Sequence, residues 1–264
     1  MKTPINDPSP ALPAAVANPS QRGKVLLIAL LALGGFTLHA QTSALTGYYT
    51  QVAAGDPDFG SGPDAGWILP NGLVQSQLGP DGLPVLSASG MTTLGTSDMN
   101  QTTHELLWWS PGQQDPYVSH DLNPVEVDTL PMSFGYPNPW YPTGQNSDSS
   151  YFRTVHWQGT FDLATAGPIS LNVSVDDDSW IYIDGNLANE DHYGFTEDTT
   201  TDLSAGVHSI NIFFDDRQPV YDGFNLTSSV PLSPVPEPGV VTLFAAGALG
   251  LLVCGWRQQK RVVG

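Results

Sequence analysis

The stretch Ile169-Ser-Leu-Asn-Val-Ser-Val-Asp-Asp-Asp-Ser-Trp-Ile-Tyr-Ile-Asp-Gly185 decides the fold. Ile169, Leu171, Val173 and Val175 alternate with Ser170, Asn172 and Ser174. A period of two with branched side chains on one face describes a half-buried strand, not a helix. The apolar run Trp180–Ile183 then enters Asp184-Gly185, the dipeptide that favours a tight hairpin turn. Upstream, Val155, Trp157, Gly159 and Phe161 alternate with His156, Gln158 and Thr160. Downstream, residues 206–214 and 223–227 read as two further strands. Strands without helical periodicity predict an all-β protein, an antiparallel β-sandwich occupying residues 41–228. Gly (27) and Pro (23) are abundant, as turn-rich β structure requires. Residues 229–234, Ser-Val-Pro-Leu-Ser-Pro, read as a linker.

Charge narrows the function. The chain carries 26 acidic and 8 basic residues, and Arg153 and Arg217 are the only basic ones between positions 41 and 234. That segment holds 24 acidic residues, a formal charge of −22. Nucleic-acid binding is excluded, because it needs clustered Lys and Arg against phosphate. A surface this acidic attracts cations or stays soluble by self-repulsion. Its lack of cysteine (Cys254 lies near the C-terminus) leaves the core, with or without a metal, to hold it.

Both ends read as addresses. Arg22 and Lys24 precede the apolar run 25–33, and small residues follow up to Ala40, the pattern of a secretory signal peptide over residues 1–40. At the other end, residues 240–256 are 17 uncharged positions, about 25 Å of helix, near the lower limit for crossing a bilayer. Arg257, Lys260 and Arg261 follow and would stay cytoplasmic. Signal helix and transmembrane helix thus flank the sandwich. The tetrad Val235-Pro236-Glu237-Pro238, the apolar helix and the basic tail together resemble the PEP-CTERM sorting signal of Gram-negative bacteria. That resemblance implies an exosortase partner during export, transient membrane anchoring through residues 240–256, and a destination at the cell surface, outer membrane or extracellular matrix. A plain single-pass anchor is the alternative.

The acidic triplet Asp176-Asp177-Asp178 is the strongest site candidate. Three adjacent carboxylates repel one another unless a cation neutralises them. An all-oxygen set without Cys or paired His favours Ca²⁺ over zinc or copper. A solvated acidic loop is the alternative. Arg217 reads as half of a buried ion pair with Asp215 or Asp216. The segment Asp56-Pro-Asp-Phe-Gly60 resembles a calcium loop but lacks the ligand spacing of an EF-hand. Neither a His-Glu-x-x-His helix nor a Gly-x-Ser-x-Gly elbow is present.

The run Asp176-Asp-Asp-Ser-Trp-Ile-Tyr-Ile-Asp-Gly185 also resembles the core motif of fibro-slime domains, which belong to the β-sandwich superfamily of the anthrax protective-antigen domain. Residues 56–59 and 78–85 are similar to the amino-terminal signatures of that family, and 213–217 with 222–224 to its closing pattern. Glu190-Asp191-His192-Tyr193-Gly194 departs from the Gly-Gly-His-like step after the hairpin, and Asp222-Gly223 stands where the family tends to place Ser and Asn. The resemblance implies a lectin-like jelly-roll in which adjacent aspartates, joined by a cis peptide, chelate Ca²⁺ that in turn holds sugar hydroxyls. It thereby assigns the metal to Asp176 and Asp177, with Asp178 next and Asp222 from the closing loop, and the carbohydrate to Asp176, Asp177, Tyr193 and Tyr221, with Trp180 a further ring. The resulting expectation is a non-enzymatic adhesin-like module for exopolysaccharide in biofilm or matrix. A structural matrix protein of the same fold without a sugar site is the alternative, and a carbohydrate-active hydrolase the third.

Overall fold

The computed structural model describes residues 42–60, 62–66, 68–113, 115–135, 151–193, 196–218 and 223–235. The signal segment 1–40, Pro236-Glu237-Pro238 of the tetrad and the apolar tail 240–256 lie outside the described residues. Among the described residues no helix is long and apolar enough to cross a membrane.

The strands run in the order β1 (Ala44–Ala53), β2 (Val74–Leu78), β3 (Pro84–Leu86), β4 (Val118–Thr129), β5 (Met132–Gly135), β6 (Tyr151–Leu163) and β7 (Gly167–Asp176). They continue as β8 (Asp178–Ile183), β9 (Asn186–His192), β10 (Thr196–Leu203), β11 (Gly206–Asp216), β12 (Gly223–Ser228) and β13 (Ser233–Pro234). The described residues include a short helix, α1 (Ala88–Thr93), capped by the Ser87 hydroxyl, which accepts from the Gly90 N–H. A nine-stranded sheet has the order β3-β2-β9-β8-β11-β6-β1-β4, with β13 also on β6, and a four-stranded sheet has the order β10-β7-β12-β5. Every pairing is antiparallel. The architecture is the expected all-β sandwich.

Alternation sorts the side chains. Leu45, Tyr49, Val155, Trp157, Ile181, Ile183, Ile210, Ile212 and Phe214 of the large sheet face Ile169, Leu171, Val173, Val175, Phe224 and Leu226 of the small one. Phe152, Trp180, Tyr182 and Phe213 point the other way, into a second core with Phe59, Leu73, Leu106, Trp108 and Trp109. The half-buried strands expected from the sequence are therefore buried on both faces along β8, all six of whose residues are buried. The cause is a layer of loops from residues 54–117 lying over the outer face of the large sheet. Each buried ring removes about 150–250 Å² from water, roughly 4–6 kcal/mol of gross transfer free energy.

Two local features matter for the site. Asp184 and Gly185 both have positive φ, 50° and 74°, as a two-residue hairpin turn of this kind requires. Residues 229–234 are not a linker. Leu232 is fully buried in the inter-sheet core, and Ser233 and Pro234 pair with Thr160 and Gly159 of β6. A side chain at Gly159 would meet Leu45 at 2.4 Å and the Ser233 carbonyl at 3.0 Å, so the bare backbone there admits β13.

Candidate functional site

The acidic triplet lies where the chain leaves the small sheet for the large one. Asp176 ends β7 opposite Gly223 of β12, and Asp178 opens β8 between His192 of β9 and Asp215 of β11. The Asp176–Asp177 peptide bond is cis, as is Leu130–Pro131. Asp177 and Asp178 are buried and Asp176 is half-buried, so this is not a solvated loop.

The three carboxylates have different partners. Oδ2 of Asp177 accepts from the backbone N–H groups of Arg217 (2.6 Å) and Gln218 (2.5 Å), which fixes its orientation. Asp178 is engaged at both oxygens, by Arg217 Nε at 2.8 Å and by His192 Nδ1 at 2.7 Å. Oδ1 of Asp176 is buried and has no hydrogen-bond partner. Burial and the neighbouring Asp178 push both Asp176 and Asp177 up from the ordinary carboxylate range. Burial opposes ionisation of Asp178 too, but Arg217 and His192 outweigh it and hold that carboxyl below its usual value. His192 shows the reciprocal effect: burial disfavours its charge, yet Asp178 and Glu190 raise it to about 9.

Arg217 is the buried cation the sequence suggests, but its partner is Asp178, not Asp215 or Asp216. Across the ladder from Asp178, Asp215 is fully buried, and burial together with Asp178 pushes its carboxyl well above the ordinary range. Arg217 Nη1 also donates to the Gly66 carbonyl at 2.7 Å, which ties the loop layer to this corner.

Of the predicted metal ligands, Asp176 and Asp177 come together with oxygens oriented or unpartnered. Asp178 is adjacent but occupied by Arg217 and His192. Asp222 and Tyr221 lie outside the described residues, as do Pro236, Glu237, Pro238, Arg257, Lys260 and Arg261. Tyr193 is 45% exposed, has φ 64°, and donates its backbone N–H to the Asp177 carbonyl at 2.7 Å. Its backbone is thus tied to the aspartate pair, and its side chain is exposed. Trp180 does not: it is fully buried against Trp108 and Trp109, and its indole N–H donates to Glu190 at 3.0 Å. The sequence did not point to His192, which holds Asp178, or to Glu190, which holds His192 at 3.4 Å, and it placed Asp215 on Arg217 rather than beside Asp178. Alternation gave no signal for them, because Asp191 and His192 are both buried at the end of β9 and residues 212–216 of β11 are buried throughout.

No protein-family model matches the chain, and no relative is found among curated proteins. Solved structures do align. The PA14 domain of the antifreeze protein MpAFP is 17% identical over 77% of this chain and 97% of that one, with a TM-score of 0.31. The A domain of epithelial adhesin 9 from Candida glabrata, described in complex with Galβ1-3GlcNAc, is 12% identical over 40% of this chain and 64% of that one, with a TM-score of 0.30. A β-glucosidase from Kluyveromyces marxianus is 12% identical over 29% of this chain, with a TM-score of 0.26, and the match spans only 11% of that enzyme.

Proposed function

We propose that the chain is an exported, non-enzymatic, adhesin-like module that binds carbohydrate through a Ca²⁺ ion held by Asp176 and Asp177. The observation that supports this is the division of labour at the strand end. Arg217 is committed to Asp178, while Asp177 is aimed by two backbone amides and Asp176 keeps an unpartnered buried oxygen beside it. Two such carboxylates without their own cation suit a hard divalent ion. Tyr193, exposed and tied by its backbone N–H to the Asp177 carbonyl, is the ring assigned to the sugar, with Asp222 and Tyr221 as the further ligand and ring. The fibro-slime likeness of residues 176–185 supplies the sugar, and the two terminal signals supply the route to the surface or matrix.

The test is a glycan array probed with the full chain. Binding that requires Ca²⁺, disappears in EDTA and is lost in D176N/D177N is the expected result. Binding unaffected by chelator or by D176N/D177N overturns the site. A complete lack of array signal favours a structural matrix role, and release of free sugar favours a hydrolase.

A further inference from the structure

A second group of carboxylates lies in the loop layer, away from the motif. Asp56 and Asp58 sit in the turn after β1, Asp98 follows α1, and Asp115 precedes β4. All four are buried, at 0%, 1%, 2% and 4% exposure. Ligand-capable oxygens of Asp56, Asp98 and Asp115 lie within 4.8 Å of one another. Two oxygens on one Ca²⁺ at about 2.3–2.6 Å are at most about 5 Å apart, so that spacing fits a common ion.

The hydrogen bonding follows one rule across the group. Oδ1 of Asp56 accepts from the Asp58 N–H at 2.8 Å, and Oδ1 of Asp115 from the Tyr117 N–H at 2.8 Å. Oδ2 of Asp58 accepts from the Trp108 indole at 3.3 Å, and Oδ2 of Asp98 from the Ser97 hydroxyl at 3.3 Å. The other oxygen of each, Asp56 Oδ2, Asp58 Oδ1, Asp98 Oδ1 and Asp115 Oδ2, is buried and unpartnered. Each carboxylate is thus held in place by one oxygen, and the second has no donor outside the group, with Asp98 within hydrogen-bonding reach of Asp56, Asp58 and Asp115. Among the described residues no Arg, Lys or His pairs with any of the four. Burial comes first and mutual repulsion second in raising Asp56 to about 8.

Buried, unpaired carboxylates cost several kcal/mol each unless something answers them. A core serving only to pack loops would use apolar or amide side chains here. The arrangement is explained by a ligand that is a hard divalent cation, since the donors are all carboxylate oxygens.

We propose that Asp56, Asp58, Asp98 and Asp115 form a second Ca²⁺-type site, independent of Asp176 and Asp177, that fastens the loop layer to the large sheet. The cation joins the turn after β1 to the segments before β4 and after α1, adding to the Ala53 N–H bond to the Tyr117 carbonyl and the Trp108 indole bond to Asp58.

The experiment uses the full chain, stripped with chelator, and Ca²⁺ alone as the probe in calorimetric titration. The D176N/D177N variant, in which the corner reading is removed, should still take up one equivalent of Ca²⁺. Adding D98N/D115N to it should abolish that uptake. No uptake by D176N/D177N, or uptake unchanged by D98N/D115N, overturns the proposal. A second measurement keeps it open to refutation if D98N/D115N fails to fold. Tb³⁺ added to D176N/D177N should luminesce on excitation of tryptophan, because the Trp108 indole touches the site, and Ca²⁺ should quench the signal by displacement. Silence in that titration also overturns it.

Discussion

At the end of β7 three carboxylates are contiguous in the chain, and the fold brings Arg217 and His192 against one of them. In the loop layer four carboxylates arrive from three separate segments, and among the described residues no cation meets any of them. Arg217 runs close to both regions, since its carbonyl accepts from the Gly60 N–H at 2.9 Å, two residues beyond Asp58. Its guanidinium nevertheless goes to Asp178. The comparison separates two ways of keeping charge inside a protein. One uses a protein cation fixed by the ladder, and the other leaves oxygens for an ion from solution.

The largest expected effect probes the first way. Arg217→Met leaves Asp178 buried with His192 as its remaining partner, and Asp215 close by. Removing one member of a buried pair costs about 3–5 kcal/mol. Urea denaturation in EDTA should show a loss of that size, and a loss under about 1 kcal/mol would mean that the pair is not what holds the corner.

The sequence revealed these two regions unequally, for physical reasons. The triplet was conspicuous because repulsion between neighbours in the chain needs no fold to be noticed. Its division of labour was not. Counting back from the Asp184-Gly185 turn would set Asp178 opposite Asp191. An irregularity between Ile181 and Tyr182 shifts the register by one and sets His192 there instead. An imidazole thus replaces a carboxylate, and Asp178 gains a partner in place of a rival. The strands β6, β7, β11 and β12 were legible because their alternation is local, and β8 because its apolar run enters the Asp184-Gly185 turn. The strand β1 was not, since seven of its ten residues, all but Tyr48, Gln51 and Ala53, are buried and hide the period. For the same reason Trp180 looked available to a sugar, when a layer built from residues 54–117 covers it. Asp98 and Asp115 carried no signal at all, because only the folded loops bring them to Asp56.

A smaller effect probes the second region alone. A side chain at Gly62 would stand 2.1 Å from the Pro57 carbonyl oxygen and 2.6 Å from that of Asp56, backbone atoms that cannot rotate away. Gly62→Ala therefore displaces the turn that carries Asp56 and Asp58 without removing any carboxylate. Overpacking of this kind costs about 1–3 kcal/mol. The second Ca²⁺ equivalent should weaken by about tenfold or more for each 1.4 kcal/mol lost from the bound state, with array binding through the corner unchanged. Equal weakening of both would show that the two regions are one cooperative unit.

The smallest effect concerns a buried group that avoids charge altogether. His156 stacks on Phe213 with ring centroids 4.1 Å apart, and its Nε2 faces the Asn211 side-chain oxygen at 3.0 Å. Gln158 is 3.3 Å from the same nitrogen, and Tyr48, Asp81 and His120 share the cleft of about 760 Å³ beside it. Burial lowers its pKa to about 4, against the opposing Asn211 hydrogen bond. The folded value lies below the unfolded value of about 6.5, so the unfolded chain takes up the proton first. Stability from this residue is present above pH 6.5 and is lost as pH falls toward 4. Between pH 6.5 and 5.5 the loss is about 1 kcal/mol. Carboxylates with raised values pull the other way in acid, so the whole-protein curve does not isolate the term. The difference between the wild-type chain and His156→Gln, both in EDTA, does, and a difference that stays flat from pH 7 to pH 5 would mean that the imidazole is protonated in the fold.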